Sequence, residues 1–347
     1  MITDQAKRLL LAAVALLFLE APAEASDAVA RIAPWYGNHD AAVSLRFDDG
    51  MESHIATVIP LLNRYGLRAT FLVSPNADRY RMHRNFWERE FPAMGHRLGN
   101  HTMHHRGAKN LEEADYEIGE AARIIWSIYP KETKLLVFAS GGGRKLWGGK
   151  EWEEADPAYR QLTERYQLID LYDGNHPYLS ARGSMKTEDL CDELDRTILK
   201  GGQRTFTFHD IGPLTLWRRL LMLLRGADLS VREQVFTDFL QCLVSRKERL
   251  WIAPLIEQIK YVKEAQHAKV RLISMNRKSA TWELTVGTDP MLYDHPITLI
   301  LPNKQGRSIR SINQGNISCT VYRDGAGAVV ADVRPENSKI TVTYGGM

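Results

Sequence analysis

Two adjacent carboxylates, Asp48 and Asp49, directly follow an apolar stretch and precede Gly50. Two like charges this close repel each other unless a positive charge, such as a bound metal ion, offsets them. Neighbouring residues of a strand point to opposite faces, so both carboxylates serve one site only if the strand ends at about Asp48. Gly50 permits a sharp turn directly after the pair. The pattern predicts a metal-dependent site, with an ordinary surface turn as the simpler alternative.

Three of the chain's 11 histidines fall within five residues, at positions 101, 104 and 105. His101 and His105 are four residues apart, and on one helical turn such residues point the same way. This spacing suits two nitrogen ligands of one divalent ion. One carboxylate would complete a set that leaves positions for water and substrate. His104 does not share this alignment, and we expect it at the surface or in support of the two ligands.

A third cluster, His209-Asp210, follows the β-branched and aromatic stretch Thr205–Phe208. We expect this histidine at the same rim as the other two clusters, which makes it a candidate general acid or base. Asp210 either orients His209 or bonds to the local backbone.

Apolar, strand-like stretches alternate with helical patterns from about residue 40 to residue 267. This alternation predicts an α/β fold with parallel strands joined by right-handed crossovers. The seven or eight strands expected fit a barrel better than a two-layer sheet. In such barrels catalytic groups collect at the C-terminal ends of the strands, where both Asp48 and His209 are predicted.

The pattern changes after about residue 268, where short strand-like stretches are separated by turn residues such as Gly315-Asn316. Their spacing, without helical patterns between them, is typical of a small all-β sandwich. We therefore expect a barrel domain over residues 26–267 and an accessory β-sandwich domain over residues 268–347. The alternative is that these strands extend the first domain.

Residues 1–25 predict a signal peptide, since two basic residues precede an 11-residue apolar run and Ala23-Glu24-Ala25 has an A-x-A pattern. We expect cleavage after Ala25 and a mature protein that is secreted or periplasmic, with an uncleaved N-terminal anchor as the alternative. The sequence contains no second long apolar run, so we expect no membrane span after cleavage.

Charge and cysteine usage narrow the class of protein further. The 45 Lys and Arg residues against 42 Asp and Glu residues give a net charge of +3, which argues against nucleic-acid binding. The cysteines, Cys191, Cys242 and Cys319, predict neither a zinc cluster nor a disulfide framework. One disulfide fits their number, but we expect buried thiols, because Cys191 and Cys242 lie in apolar helical patterns. The sequence leaves the oligomeric state open.

In order and spacing, the three clusters resemble those of the polysaccharide deacetylases of carbohydrate esterase family 4, also called NodB-homology domains. The matching segments are Phe47-Asp48-Asp49-Gly50, the H-[ST]-x-x-H segment from His101 to His105, and His209-Asp210. The resemblance covers about residues 40–265. It implies a distorted (β/α) barrel with seven strands.

The resemblance also implies an activity, the metal-dependent removal of acetyl groups from an O- or N-acetylated polysaccharide or oligosaccharide. By position, Asp48 would be the catalytic base and His209 the catalytic acid. The resemblance also implies an aspartate that orients the catalytic histidine, and Asp170 and Asp173 are candidates for it. Asp49, His101 and His105 would bind the metal. Zinc suits such a set, with cobalt, nickel and manganese as alternatives.

The chain departs from the family pattern at residues 140–144, where it has SGGGR without the family's proline. Arg144 is a candidate partner for Asp48, and Gly142 is a candidate for close backbone approach to the substrate acetyl group. Trp147 is a candidate for stacking on a sugar ring. The departure keeps open a catalytically silent, carbohydrate-binding relative. A metal-dependent amidase acting on a small non-sugar substrate is a further alternative.

Overall fold

The computed structural model describes residues 29–141, 156–212, 229–302, 308–323 and 329–345. The predicted signal peptide lies outside these ranges, as do Gly142, Arg144 and Trp147. Of the helices in the described ranges, none has both the length and the apolar character needed to cross a bilayer.

Eight parallel strands form one sheet, named here the barrel sheet. Seven of them are ordered across the sheet as Leu168–Asp170, Leu136–Phe138, Arg97–Asn100, Thr70–Val73, Ala41–Phe47, Gln203–Phe208 and Tyr178–Ser180. The eighth, Leu250–Ile252, pairs with the first half of the central strand Ala41–Phe47. The two outer strands of the seven do not pair with each other within the described ranges, so the barrel is open there. The predicted α/β class and distorted seven-strand barrel are confirmed.

Helices connect the strands. They are Ile59–Arg64, Asp78–Met82, Leu111–Ile128, Asp156–Arg165, Thr187–Lys200, Glu233–Val244 and Leu255–His267. A π-helical turn, His54–Val58, leads directly into the first of them. The longest helix begins at a cap in which the Asn110 side chain accepts a hydrogen bond from the backbone N–H of Glu113.

Alternation along the central strand Ala41–Phe47 divides the barrel sheet into two faces. Val43, Leu45 and Phe47 lie in the main core, where the helices pack on the sheet. Ser44 and Arg46 are also buried, but the pleat directs them to the opposite, inner face. A polar stripe therefore runs along the inner face toward the C-terminal end of the strand.

The sequence pattern does not predict the strands Arg97–Asn100 and Tyr178–Ser180. The first has the sequence RLGN, which offers one apolar side chain and no periodicity. Its Gly99 is required by close packing, because a Cβ there would lie 2.2 Å from Cδ2 of Leu72. This strand nevertheless positions His101, which follows it directly.

A short parallel pair joins Asp210–Ile211 to Ser230–Val231, and two antiparallel sheets form the β region. One is ordered as Ala268–Met275, Ser279–Val286, Ser338–Tyr344, Ile309–Gln314 and Ile317–Ser318. The other is ordered as Arg31–Ile32, Ile297–Leu301, Val329–Val333 and Val321–Arg323. Side chains from both sheets share a core that contains Trp282, Leu299 and Ile340, and this confirms the predicted extra β region.

The helix Leu255–His267 is followed directly by the strand Ala268–Met275. We propose the domain boundary between residues 267 and 268, as the change of pattern predicts. The edge strand Arg31–Ile32 pairs with Ile297–Leu301, so a segment that precedes the barrel adds a strand to the β region.

Cys191 and Cys242 form a disulfide, so the expectation of buried thiols is wrong for this pair. The bond joins the helices Thr187–Lys200 and Glu233–Val244, with 6.2 Å between the two Cα atoms. The sequence places each cysteine on a helix but does not show that the two helices are neighbours. Cys319 is free and half-buried.

Candidate functional site

The three clusters that the sequence singles out meet at one edge of the barrel sheet. Asp48, His101 and His209 each directly follow a strand. Because these strands are parallel, their C-terminal ends lie side by side. Residues that are up to 161 positions apart in the sequence, Asp48 and His209, thereby become neighbours.

Asp49, His101 and His105 form a compact group whose donor atoms lie within 4.8 Å of one another. Oδ1 of Asp49 is 3.2 Å from Nε2 of His101 and 2.7 Å from Nε2 of His105. Burial alone would raise the pKa of the Asp49 carboxyl, but the hydrogen bonds from the two histidines outweigh it and hold that pKa well below its usual range. Two imidazole nitrogens and one carboxylate oxygen are a donor set that divalent ions of the zinc type prefer.

Left-handed backbone conformations bring these side chains together. The φ angle is 78° at Asp49, 65° at Thr102 and 58° at His105. Such values are uncommon outside glycine, and they concentrate at sites where the surrounding structure enforces them. The segment from His101 to His105 is therefore not the helical turn that the spacing predicts, although both imidazoles face one carboxylate oxygen.

His101 is oriented by the next strand of the barrel sheet. Its Nδ1 lies 2.8 Å from the carbonyl oxygen of Ala139, which follows the strand Leu136–Phe138. A carbonyl can only accept, so the ring donates through Nδ1 and presents Nε2 to Asp49. A hydrogen bond of this kind behind a histidine ligand is typical of metal sites.

Gly141 packs against the backbone of the histidine segment. A Cβ at this position would lie 2.6 Å from the carbonyl oxygen of His101 and 2.8 Å from Cα of His105. A larger residue would displace one of the two histidines. The described part of the glycine-rich stretch therefore supports the candidate metal ligands.

His104 lies behind the two candidate ligands. Its Nδ1 is 2.6 Å from Oε1 of the buried Glu117, and its Nε2 bonds to the side-chain amide of Asn76. Glu117 also accepts a hydrogen bond from the backbone N–H of His104 at 2.9 Å. As the sequence predicts, His104 supports the segment and does not face the carboxylate of Asp49.

Asp48 is held by Arg46, which lies two residues earlier, near the end of the strand Ala41–Phe47. Nε of Arg46 is 2.7 Å from Oδ1 of Asp48, and Nη2 is 2.6 Å from Oδ2. Nη2 of Arg46 also lies 3.4 Å from the hydroxyl of Tyr172, whose ring centroid is 5.6 Å from the guanidinium carbon. Arg144, the partner that the sequence suggests, lies outside the described residues. Arg46 is the observed partner, and its spacing of two residues from Asp48 is the sequence signal for this pair.

His209 faces Asp48, with 4.0 Å between its Nε2 and Oδ2 of the aspartate. Its Nδ1 is buried, and this atom has no hydrogen-bond partner among the described residues. Asp210 therefore does not orient the ring through Nδ1. Its carboxylate accepts hydrogen bonds from the hydroxyls of Ser53 and Ser230, at 2.7 and 2.8 Å.

The other two candidates for orienting His209 bond elsewhere. Asp170 accepts the backbone N–H of Tyr172 at 3.0 Å, and burial raises the pKa of its carboxyl to about 6. Asp173 bonds to the backbone and side chain of Asn175. The structure thus brings together Asp48, Asp49, His101, His105 and His209, and it places no described carboxylate on Nδ1 of His209.

Comparison with known proteins gives one family match. Residues 36–147 match the family model described as Polysaccharide deacetylase. This segment contains Asp48, Asp49, His101 and His105 and ends before His209.

Among solved structures, the chain is similar to a family 4 carbohydrate esterase from Streptomyces lividans in complex with acetate. The identity is 15% and the TM-score 0.40, over 63% of this chain and 94% of that chain. It is also similar to a peptidoglycan deacetylase from Bacillus subtilis, at 18% identity and a TM-score of 0.36, over 65% and 93% of the two chains. A CE4 family pseudoenzyme from Bacillus anthracis matches at 13% identity and a TM-score of 0.34, over 59% and 67%.

Proposed function

Since the chain carries a polysaccharide deacetylase domain, we propose that it is a metal-dependent hydrolase that removes acetyl groups from an O- or N-acetylated polysaccharide or oligosaccharide. The observation that carries this proposal is the position of the group Asp49, His101 and His105 beside Asp48, which in turn faces His209. A metal-binding set, a carboxylate and an imidazole at one strand edge are the groups that metal-assisted hydrolysis of an acyl bond uses.

The chemistry of the donor set fits a divalent ion. Asp49, His101 and His105 would hold it, and the Nδ1–H bond from His101 to Ala139 leaves the Nε2 lone pair free for a metal. We propose zinc, with cobalt, nickel or manganese as alternatives. When bound, such an ion lowers the pKa of a water ligand to about 7 and polarises the acyl carbonyl.

Asp48 is the proposed base, which takes the proton of the attacking water. Arg46 bonds to both of its oxygens and stabilises the ionised form inside the barrel. Each oxygen has a second lone pair that Arg46 does not use, so the carboxylate can still accept from water. The buried pair also prevents the carboxylate from rotating away from the site.

His209 is the proposed acid, which gives its Nε2 proton to the leaving alkoxide or amine. The base acts as a carboxylate and the acid as an imidazolium, and the two groups have different surroundings. The Asp48 side chain is 3% exposed and paired with a guanidinium, whereas the His209 side chain is 21% exposed. This difference supports the division of roles.

We propose an extracytoplasmic location, either secreted or periplasmic. The disulfide between Cys191 and Cys242 supports it, because structural disulfides persist in oxidising compartments. The predicted signal peptide at residues 1–25 agrees with this location. Acetylated xylan, chitin, peptidoglycan and exopolysaccharide all fit as substrates that such a protein would meet.

The test is a mass-spectrometric screen for acetate release from these four glycans, with defined zinc added. We expect release from at least one glycan, loss of release on chelation and its return with zinc. Asp48→Asn and His209→Ala should abolish release while zinc still binds. Glycan binding without release would instead indicate a silent carbohydrate-binding protein, and release from small amides alone would indicate an amidase.

A further inference from the structure

A further histidine, His54, lies beside the site, and the proposed chemistry does not use it. Its side chain is fully buried. The ring packs edge-on against the rings of Phe47 and Phe71, in the core of the barrel sheet. A polar ring is stable in such surroundings only if its nitrogens are hydrogen-bonded.

Both nitrogens of His54 have backbone partners, and these come from two different strand ends. The backbone N–H of Met51 donates to Nδ1 at 3.2 Å. Nε2 therefore carries the ring proton and donates it to the carbonyl oxygen of His209. Burial lowers the pKa of His54 to about 4, so the ring is neutral at pH 7 and has the single proton that this arrangement requires.

Ser53 connects the same two segments. Its hydroxyl donates to Oδ1 of Asp210 at 2.7 Å and accepts the backbone N–H of Ile211 at 3.2 Å. The turn that carries Asp49 is thus bonded to three consecutive residues from His209 onward. In contrast, the His209 ring itself has an unbonded Nδ1 among the described residues.

We propose that His54 is a positioning residue for His209 and that Ser53 assists it. With no described carboxylate on the His209 ring, its backbone contacts set where Nε2 lies relative to Asp48. This inference rests on the proposed function, in which His209 protonates the leaving group. A displacement of about 1 Å at a reacting group costs on the order of 100-fold in rate.

Three variants test the proposal. His54→Phe preserves the aromatic packing and removes both hydrogen bonds, whereas His54→Gln restores an N–H donor near the position of Nε2. His96→Phe is the matched control, because His96 is equally buried and also packs against Phe71. Its Nδ1 bonds only to the backbone of Ala69, away from the site.

Two esters with different leaving groups distinguish a misplaced acid from a general loss of structure. A sugar acetate needs a proton on the departing oxygen, whereas the nitrophenolate of 4-nitrophenyl acetate departs without one. We expect His54→Phe to lower kcat for the sugar acetate on the order of 100-fold and kcat for 4-nitrophenyl acetate less than about threefold. KM and zinc stoichiometry should not change, and His54→Gln should recover most of the loss. His96→Phe should leave the ratio of the two rates at the wild-type value.

If His54→Phe lowers kcat by the same factor for both esters, or lowers it for neither, the proposal is overturned. If His54→Phe does not fold, Ser53→Ala provides the same comparison at a half-buried position. In Ser53→Ala, kcat should again fall more for the sugar acetate than for 4-nitrophenyl acetate, and the fall for the sugar acetate should be about tenfold or less. If Ser53→Ala changes kcat for the two esters by the same factor, the proposal is again overturned.

A second measurement does not depend on turnover. In protein labelled with 15N-histidine, we expect His54 to have its proton on Nε2, and His54→Phe to shift or broaden the ring signals of His209. The signals of zinc-bound His101 and His105 should stay in place. Unchanged His209 signals would refute the positioning role. If the wild type releases no acetate, the proposed function fails, and these signals still decide whether His54 positions His209.

Discussion

Arg46 and Asp48 form a bidentate ion pair inside the barrel sheet, with contacts of 2.7 and 2.6 Å and both side chains no more than 3% exposed. Arg46 lies on the strand Ala41–Phe47 and Asp48 directly follows it, and residues two apart on an extended chain point to the same face. The proposed base therefore has its positive partner on the strand that leads into it. The hydroxyl of Tyr172 makes a third contact, with the same guanidinium.

Removing the guanidinium should impair both stability and catalysis. In Arg46→Met the carboxylate of Asp48 remains buried without its partner, and breaking such a pair costs about 3 to 5 kcal/mol of the free energy of unfolding. We expect kcat/KM for acetate release to fall on the order of 100-fold. Arg46→Lys retains the charge but not the two-pronged geometry and should lie between Arg46→Met and the wild type. Urea unfolding and acetate release measure the two effects.

The double variant Arg46→Met with Asp48→Leu is the control for this ion pair. Because it removes both charges, it should be more stable than Arg46→Met alone. A double-mutant cycle on the free energies of unfolding then gives the coupling between the two residues. If the changes in the free energy of unfolding for Arg46→Met and Asp48→Leu alone add up to that of the double variant, the two residues do not interact.

The candidate metal ligands should be separable from the neighbouring histidine. His105→Ala removes one of three donors, and we expect zinc affinity to fall more than about 100-fold, since even contacts behind the ligands are worth about 10- to 100-fold. His104→Gln should lower zinc affinity only about tenfold, because His104 supports the ligand segment indirectly, through Glu117 and Asn76. Competition with a chromophoric chelator measures both affinities. Equal losses in the two variants would contradict the assigned donor set.

Close packing at Gly141 should matter for metal binding. A Cβ there would lie 2.6 Å from the His101 carbonyl oxygen, so Gly141→Ala should displace the histidine segment and weaken zinc binding by about tenfold or more. Gly202→Ala is the matched control, since a Cβ at Gly202 meets no atom within 4 Å. We expect its zinc affinity to be unchanged and its free energy of unfolding to stay within about 0.5 kcal/mol of the wild type. Unchanged zinc binding in Gly141→Ala would refute the packing argument.

Glu264 should make the protein less stable as the pH rises. Its Oε1 accepts the backbone N–H of His295 at 3.0 Å, and its buried Oε2 has no partner in the described part of the chain. Burial raises the pKa of this carboxyl from its ordinary 4.5 to about 8. When folding raises the pKa of a group, the group stabilises the native state at pH values below its pKa in the unfolded chain. This stabilisation is lost as the pH rises through the pKa in the folded state.

Glu264→Gln removes this titration. We expect the variant to exceed the wild type in free energy of unfolding by roughly 2 to 4 kcal/mol at pH 9, and to be close to it at pH 5. Urea unfolding at the two pH values measures the difference. The exposed Glu248→Gln should change stability little at either pH. If Glu264→Gln is less stable than the wild type at pH 9, the buried carboxylate does not destabilise the folded protein, and the prediction is wrong.

The α/β class and the later β region could be predicted from the sequence, as could the five residues Asp48, Asp49, His101, His105 and His209 that meet at the candidate site. Apolar runs and turn residues are local signals, and Asp48, Asp49 and His209 follow such runs directly. The strand Arg97–Asn100 was missed because four residues with one apolar side chain show no period. His101 and His105 were recognised by their spacing even though the helical turn assigned to them was wrong.

Only the tertiary structure decided how these residues are held. Arg46 as the partner of Asp48, His54 and Ser53 beside His209, and the disulfide between two helices all depend on which segments become neighbours. Hydrogen bonds and ion pairs act over about 3 Å, whereas a pattern along the chain reports only which face of its own strand or helix a residue occupies. The sequence by itself therefore determined the chemical groups and the strand ends that carry them, and the packing of those ends determined their partners.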